Sequence, residues 1–384
     1  MDLIAGVKIG YSKKRRDSHR WQQEEERMQP EAFEFLKALA EAPSPSGFEQ
    51  PAQKVFREYI RDYVDEVETD VLGNASGLIK GKGKGKPTVM LAGHCDEVGF
   101  MVKYIDENGF LYFAPIGGVD DQLLPGKRVW IHAQNGPVMG VVGRKPIHLI
   151  DPKDREKVVQ VHNQFIDIGA KNKKEASRFI KIGDAITFAG GLEKLIGDRA
   201  VSRGFDDKVG SFVVAEVLRR VGKKKERPRC TVYGVSTVQE ELGLRGATTS
   251  AYQIQPDVGI AIEVGHASDY PDVDKKRVGE YKIGAGPIIA RGANINPLVY
   301  ELLLKSAKKT KIPFQILGAP RATGTDANVI QLSRKGVATG LISVPLRYMH
   351  TPTEVLSLKD LEATCRLLVG FIYELKEQMS FIPR

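Results

Sequence analysis

Apolar residues first recur with a helical period at Phe33, Leu36, Leu39 and Ala40, until Pro43-Ser44-Pro45-Ser46-Gly47 breaks the backbone. A second helix follows over about 49–63. From Val64 the period changes to two, in short β-rich runs at 66–70, 75–80, 88–92 and 99–105, the last closing on Asp106-Glu107-Asn108-Gly109. Residues 98–190 hold strands and one convincing helix, near 173–179, the pattern of a small β-barrel. Beyond them helices at 208–221, 247–253 and 297–310 alternate with strands at 230–237, 258–262 and 338–344, which predicts an α/β layer with a largely parallel sheet. A final helix opens on Ser357-Leu-Lys-Asp360, read as a capping box, and turns Leu361, Leu368, Phe371 and Ile372 to the core. An α/β domain (28–97 and 191–384) is thus interrupted by a β domain (98–190), and residues 1–27, with charge blocks and little apolar periodicity, read as a disordered tail.

Composition narrows the class. A chain of 384 residues, 42% hydrophobic and 27% charged, is too long for one ordinary core. Apolar runs such as Val89–Ala92 and Val337–Pro345 fall far short of the roughly 20 residues of a membrane span, so no membrane partner is expected. Leu3–Val7 is shorter than the ~7 to 15 residues of a secretory h-region, and the chain reads as cytoplasmic. Cys95, Cys230 and Cys365 are widely spaced with no CxxC pair, which argues against a disulfide framework and a thiolate zinc site. The net charge of +9 (57 basic minus 48 acidic) is diffuse. The basic runs at 80–86, 171–174 and 223–229 lack interleaved aromatics for base stacking and read as solvated loops, so no nucleic-acid partner is expected.

Common catalytic signatures are missing. No His is followed by Glu, so HExxH is absent, and the lysine-glycine stretch at 81–86 has no GxxxxGK[ST] pattern. Ser202 stands in a faint nucleophile-elbow context without the strand-to-helix setting and the downstream Asp and His that such a nucleophile requires. What remains is a series of acidic and imidazole groups where apolar strands end. His94 and Asp96 follow Val89–Ala92, and Asp206-Asp207 precede a helix where one N-capping Asp would suffice. Glu240-Glu241 end the 230–237 strand, Glu263 ends the next, and His350 follows the strand at 338–344. Taken singly, each has an ordinary explanation in a cap, a core histidine or a helix dipole. Together, at the edge where open α/β sheets bind ligands, they suit two divalent cations (zinc, cobalt or manganese) sharing a bridging carboxylate.

The motifs His94-x-Asp96-Glu97-x-Gly99-Phe, Phe205-Asp206-Asp207-Lys-x-Gly210, Thr237-Val-Gln-Glu240-Glu241-x-Gly-x-Arg-Gly-Ala and His350-Thr-Pro-x-Glu354 resemble, in order over residues 30–380, metallo-aminopeptidase family 42, which includes the TET and glutamyl aminopeptidases. Gly324-Thr-Asp326-Ala is similar to a further family segment. The resemblance implies an α/β catalytic domain with a mostly parallel central sheet, interrupted by a PDZ-like β-barrel dimerisation domain. It also implies hydrolysis of N-terminal residues from oligopeptides through a metal-activated water, with two Zn²⁺ or Co²⁺ ions per subunit, in a homo-oligomeric tetrahedral dodecamer. Asp206 would bridge the ions, His94 and Glu263 would complete one shell, and Glu241 and His350 the other. Glu240 would be the general base and Asp96 would orient His94. Asp207 would assist Asp206 across a peptide that is cis in related enzymes. Family members more often carry Asp where this chain has Glu263. Ordered residues would begin near Met28, making the basic tail an extension or Met28 the true start. Two other readings stay open: an endoglucanase-type glycoside hydrolase, since paired carboxylates serve that chemistry, and a catalytically silent basic scaffold or RNA-binding protein. The excess positive charge leans towards acidic peptides.

Overall fold

A computed structural model describes residues 28–83 and 87–383; the tail read at 1–27 lies outside them. Helices α1 (Pro30–Glu41) and α2 (Gln50–Ile60) precede β1 (Glu66–Thr69), β2 (Ala75–Ile79) and β3 (Thr88–His94). Then come β4 (Gly99–Ile105), β5 (Leu111–Ile116), β6 (Arg128–Ala133), β7 (Gly136–Gly143), β8 (Phe165–Asp167), α3 (Lys173–Phe179) and β9 (Ala185–Phe188). The remainder runs β10 (Glu193–Lys194), β11 (Arg199–Ser202), α4 (Phe205–Gly222), β12 (Thr231–Thr237), α5 (Arg245–Ile254), β13 (Val258–His266), α6 (Lys275–Val278), β14 (Ile288–Gly292) and α7 (Pro297–Thr310). It ends with β15 (Gln315–Ala319), α8 (Ala327–Ile330), β16 (Ala338–Leu346), β17 (Glu354–Ser357) and α9 (Leu358–Glu374).

Eight strands form one sheet in the order β1-β2-β12-β3-β13-β16-β14-β15, whose four central strands β12, β3, β13 and β16 are parallel. Strands buried on both faces read as continuous apolar runs, as Val89–Ala92 does. One face carries α4: a Cβ added at Gly93 would lie 2.3 Å from the backbone of Gly210, so only glycine admits the helix this close. The opposite face carries α8, where Ile330 packs over Gly259. Strands β4–β9 close into a separate antiparallel barrel, with Phe100 meeting Phe113 and Phe188 edge-on at 5.3 and 5.4 Å in its core. The three cysteines are free and buried.

The sequence reading missed β14 and β15, short runs interrupted by glycine, and the small β10-β11-β17 sheet. It also ended β3, β13 and β16 two to four residues early: β3 and β13 run on into His94 and Glu263, the polar residues of the site, and β16 continues through Pro345. The capping box needs correction. Ser357 Oγ does accept from the Lys359 amide at 3.2 Å, but the Asp360 carboxylate turns away to accept from the amides of Gly284 and Gly286 at 2.6 and 2.8 Å. A chain segment 74 residues away thus outcompetes the local cap.

A buried charge cluster fixes α4 against the start of the barrel. Lys208 Nζ, wholly enclosed, donates to the carbonyl of Ala42 at 2.7 Å and to Glu97 Oε1 at 2.8 Å. Arg203 donates to both Glu97 oxygens and to the Glu41 carbonyl at 3.0 Å. Burial pushes the Glu97 carboxyl up, but Arg203 and Lys208 together outweigh it and hold it at about 2. Removing one member of such a network strands the others without solvent. Glu97→Gln is therefore expected to cost about 3–5 kcal/mol of unfolding free energy, read from a urea titration; a loss under ~1 kcal/mol would show the cluster dispensable.

Candidate functional site

The site lies at the carboxyl ends of the central strands. Parallel registry pairs Ala92 of β3 with Ala261 of β13, so two residues further on His94 and Glu263 emerge side by side. Registry on the other side pairs His94 with Thr237, the last residue of β12, after which the chain turns through Gln239 at φ 55° and delivers Glu240 and Glu241. Asp206 and Asp207 open α4 with non-helical dihedrals and a cis peptide between them. His350, at φ 60°, follows β16.

His94 Nε2 lies 3.4 Å from Asp206 Oδ1, 3.6 Å from Glu263 Oε2 and 3.9 Å from Glu240 Oε2. His350 Nε2 lies 3.3 Å from Asp206 Oδ2 and 3.2 Å from Glu241 Oε1. Asp206 therefore stands between the two imidazoles. These six residues line one cavity of about 570 Å³. Asp207 is engaged by backbone amides: its Oδ1 accepts from Gly210 N at 3.1 Å and its Oδ2 from His94 N at 3.3 Å. A Cβ on Gly210 would fall 2.0 Å from that Oδ2, which explains the glycine in the motif. Ser202 is buried in β11 and does not line the cavity.

Neighbouring groups fix the acidic residues. The Asp96 carboxylate accepts from Ser46 Oγ at 2.6 Å and from the amides of Glu240 and Glu241, each at 3.1 Å, so it clamps the turn that carries both. His94 Nδ1 is 3.1 Å from the Asp96 carbonyl oxygen and 3.4 Å from Oδ1. Glu49 supports the same turn, accepting from Gln239 N at 3.2 Å, and burial pushes its carboxyl up to about 7. Glu354 accepts from Asp206 N at 3.0 Å and His350 N at 2.8 Å, and His350 Nδ1 meets the Gly118 carbonyl, on the loop after β5, at 2.9 Å. With each Nδ1 facing a carbonyl, each Nε2 faces into the cluster. Asp326 completes the floor: its amide donates to Glu263 Oε1 at 3.1 Å and its Oδ2 accepts from Thr237 at 2.7 Å.

The electrostatics show a site short of positive charge. Burial, with Asp326, Glu241 and Asp96 close by, pushes the Glu240 carboxyl up to about 8. Burial and Asp207 raise Glu263 well above the ordinary carboxyl value, and burial lifts Asp326 to about 6. Asp206 and Glu241 push the His350 imidazole up to about 11. Oδ1 of Asp326 is buried with no hydrogen-bond partner. Such crowding is costly unless a cation compensates it. Three groups have ligand atoms mutually within 4.8 Å: His94, Asp207 and Glu263; Asp206, Glu241 and His350; Glu240, Glu263 and Asp326. Tetrahedral ligation at ~2.1 Å sets donors about 3.4 Å apart. The imidazole–carboxylate separations of 3.2 to 3.6 Å around Asp206 match that spacing. The residues fit divalent metal.

Ser46, Glu49 and Asp326's contact with Glu263 were not read from the sequence. Ser46 and Glu49 lie in what reads as a breaker and a helix start, and nothing local marks them as partners of residues 50 and 190 positions away.

The model of the M42 glutamyl aminopeptidase family matches residues 73–367. The lysyl aminopeptidase of Pyrococcus furiosus is 37% identical over 354 residues, covering 91% of this chain and 99% of its own length. A TET aminopeptidase from a marine-sediment Thaumarchaeota archaeon superposes with a TM-score of 0.86 at 37% identity, over 91% of this chain and 98% of the other. The Pyrococcus horikoshii TET1 peptidase, which can assemble into a tetrahedron or a large octahedral shell, gives a TM-score of 0.80 at 29% identity, over 90% and 100%. Fold, family match and near end-to-end likeness agree: the chain belongs to the M42 glutamyl aminopeptidase family and is an aminopeptidase, a hydrolase acting on peptides.

Proposed function

We propose that the cluster is a dinuclear centre for Zn²⁺ or Co²⁺ that removes single residues from the N-termini of oligopeptides. The observation carrying this reading is the placement of one carboxylate, Asp206, between two imidazole Nε2 atoms at 3.4 and 3.3 Å. Asp206 would bridge, with His94 and Glu263 holding one ion and Glu241 and His350 the other. Bound there, the metals supply Lewis acidity, which polarises the scissile carbonyl and makes water nucleophilic near neutral pH.

The remaining work falls to side chains. Glu240 is the general base: its carboxylate takes a proton from the attacking water and passes it to the departing amine, while the Asp96 clamp holds its backbone in place. Asp96 also orients His94 through its carbonyl and Oδ1. Asp207 supports the His94 backbone. Glu263 reaches one methylene further than an aspartate, and the Asp326 amide receives that extra length.

Residues 28–97 and 191–384 act as the catalytic domain, and 98–190 as the dimerisation barrel of a homo-oligomer, a tetrahedral dodecamer. The assembly named for the Pyrococcus horikoshii peptidase supports this, as does the exposure of Ile147 and Leu149 on the segment after β7. A cytoplasmic location agrees with three free, buried cysteines; among the described residues no helix is long and apolar enough to cross a membrane.

Three measurements test this reading. Chelation is expected to abolish hydrolysis of aminoacyl anilides and lower Tm. Restored zinc or cobalt should return both, since a ligand at 100 Kd stabilises by about 2.7 kcal/mol; full activity in chelator would exclude the centre. Glu240→Gln is expected to lose about 10²- to 10⁴-fold in kcat with metal content by mass spectrometry unchanged, whereas near-normal turnover would remove Glu240 as base. Light scattering is expected to give the mass of twelve chains; a monomer mass would overturn the assembly.

A further inference from the structure

The cavity that holds the acidic cluster extends away from it over the outer half of the sheet. Its far walls come from Val264 on β13, Ile288 on β14, Leu317 on β15 and Leu341 on β16, with Tyr281 and Met349 from adjoining loops. Val264, Tyr281, Ile288 and Leu341 are 8, 8, 2 and 1% exposed, so the inner wall is buried and apolar, and the cavity opens to solvent on its outer side. The whole volume of about 570 Å³ lies within the range of roughly 300–1,000 Å³ in which proteins hold small molecules. All the carboxylates of its lining, Asp206, Glu240, Glu241 and Glu263, belong to the cluster itself. Its two basic side chains outside the cluster, Arg321 and His266, are exposed at the rim.

We infer that this extension receives the side chain of the substrate's N-terminal residue and selects an apolar one of leucine, methionine or phenylalanine size. The inference rests on the aminopeptidase reading of the same site. The choice follows from desolvation. A lysine side chain entering here would give up water with no wall carboxylate free of the cluster to receive its ammonium, and burying an unpaired charge is expensive. A glutamate side chain would lie against the same aliphatic walls and close to four other carboxylates, while Arg321 and His266 remain in solvent. An apolar side chain loses nothing polar and gains about 25 cal/mol for each Å² it buries. Preference therefore departs from the lysyl specificity in the name of the Pyrococcus furiosus relative.

The test uses the full-length, metal-reconstituted enzyme and leucyl, methionyl, phenylalanyl, lysyl and glutamyl p-nitroanilides. The three apolar substrates are expected to exceed the lysyl and glutamyl ones at least tenfold in kcat/KM. Leu317, half-buried on the last strand of the sheet, can be changed with little risk to folding. In Leu317→Asp, with folding checked by circular dichroism, the lysyl-to-leucyl ratio should rise tenfold or more. If that variant fails to fold, Met349→Asp gives the same reading. A wild-type enzyme that prefers lysyl or glutamyl substrate, or a folded variant with an unmoved ratio, would overturn the pocket assignment while leaving the aminopeptidase reading intact. Cleavage of none of the five would overturn both.

Discussion

Mutual repulsion among carboxylates is the constraint around which this molecule is built. Asp206, Asp207, Glu240, Glu263 and Asp326 converge near the ends of the buried parallel strands; burial pushes every one of these carboxyls up, and only at Asp206 do the imidazoles of His350 and His94 outweigh it. Water cannot screen charges packed this way, so backbone amides, hydroxyls and imidazoles must hold the array in position. Asp96 and Glu354 show how: each is a carboxylate that touches no cavity wall, and each spends its oxygens on the amides of residues that do.

Adjacent residues divide fold and site between them. Asp96 faces the cluster, while Glu97, next along, faces Arg203 and Lys208 and ties α4 to the chain that enters the barrel. The helix so anchored is the one that carries Asp206 and Asp207. A close helix-to-strand approach at Gly93 and Gly210 completes the arrangement. Stability and ligand placement therefore share the same few backbone positions.

The α/β frame was legible because its central strands are apolar runs and its helices keep their period: α7 falls where the pattern puts it, as do β4 and α3 of the inserted barrel. The site was legible to the extent that chemistry resides in residue type, since imidazoles and paired carboxylates at strand ends have few uses. What the pattern could not carry were pairings across long chain separations. Ser46 with Asp96, Glu49 with Gln239, and Asp360 with Gly284 and Gly286 are set by tertiary approach, and Asp360 shows a local rule losing to a distant one. The apolar extension of the cavity was invisible for the same reason. Its walls come from four strands and two loops, and two of those strands, β14 and β15, went unread.

The hydrogen bond from His350 to the Gly118 carbonyl gives the inserted barrel a second meaning. Gly118 follows the barrel's second strand, so an imidazole on one structural unit meets a backbone acceptor on another. The barrel is thus part of the site's frame as well as an appendage, since it supplies the acceptor on one edge of the ring that faces Asp206 and Glu241. Asp206 and Glu241 hold the other edge of the same ring, so the barrel, α4 and the turn after β12 all meet at one imidazole.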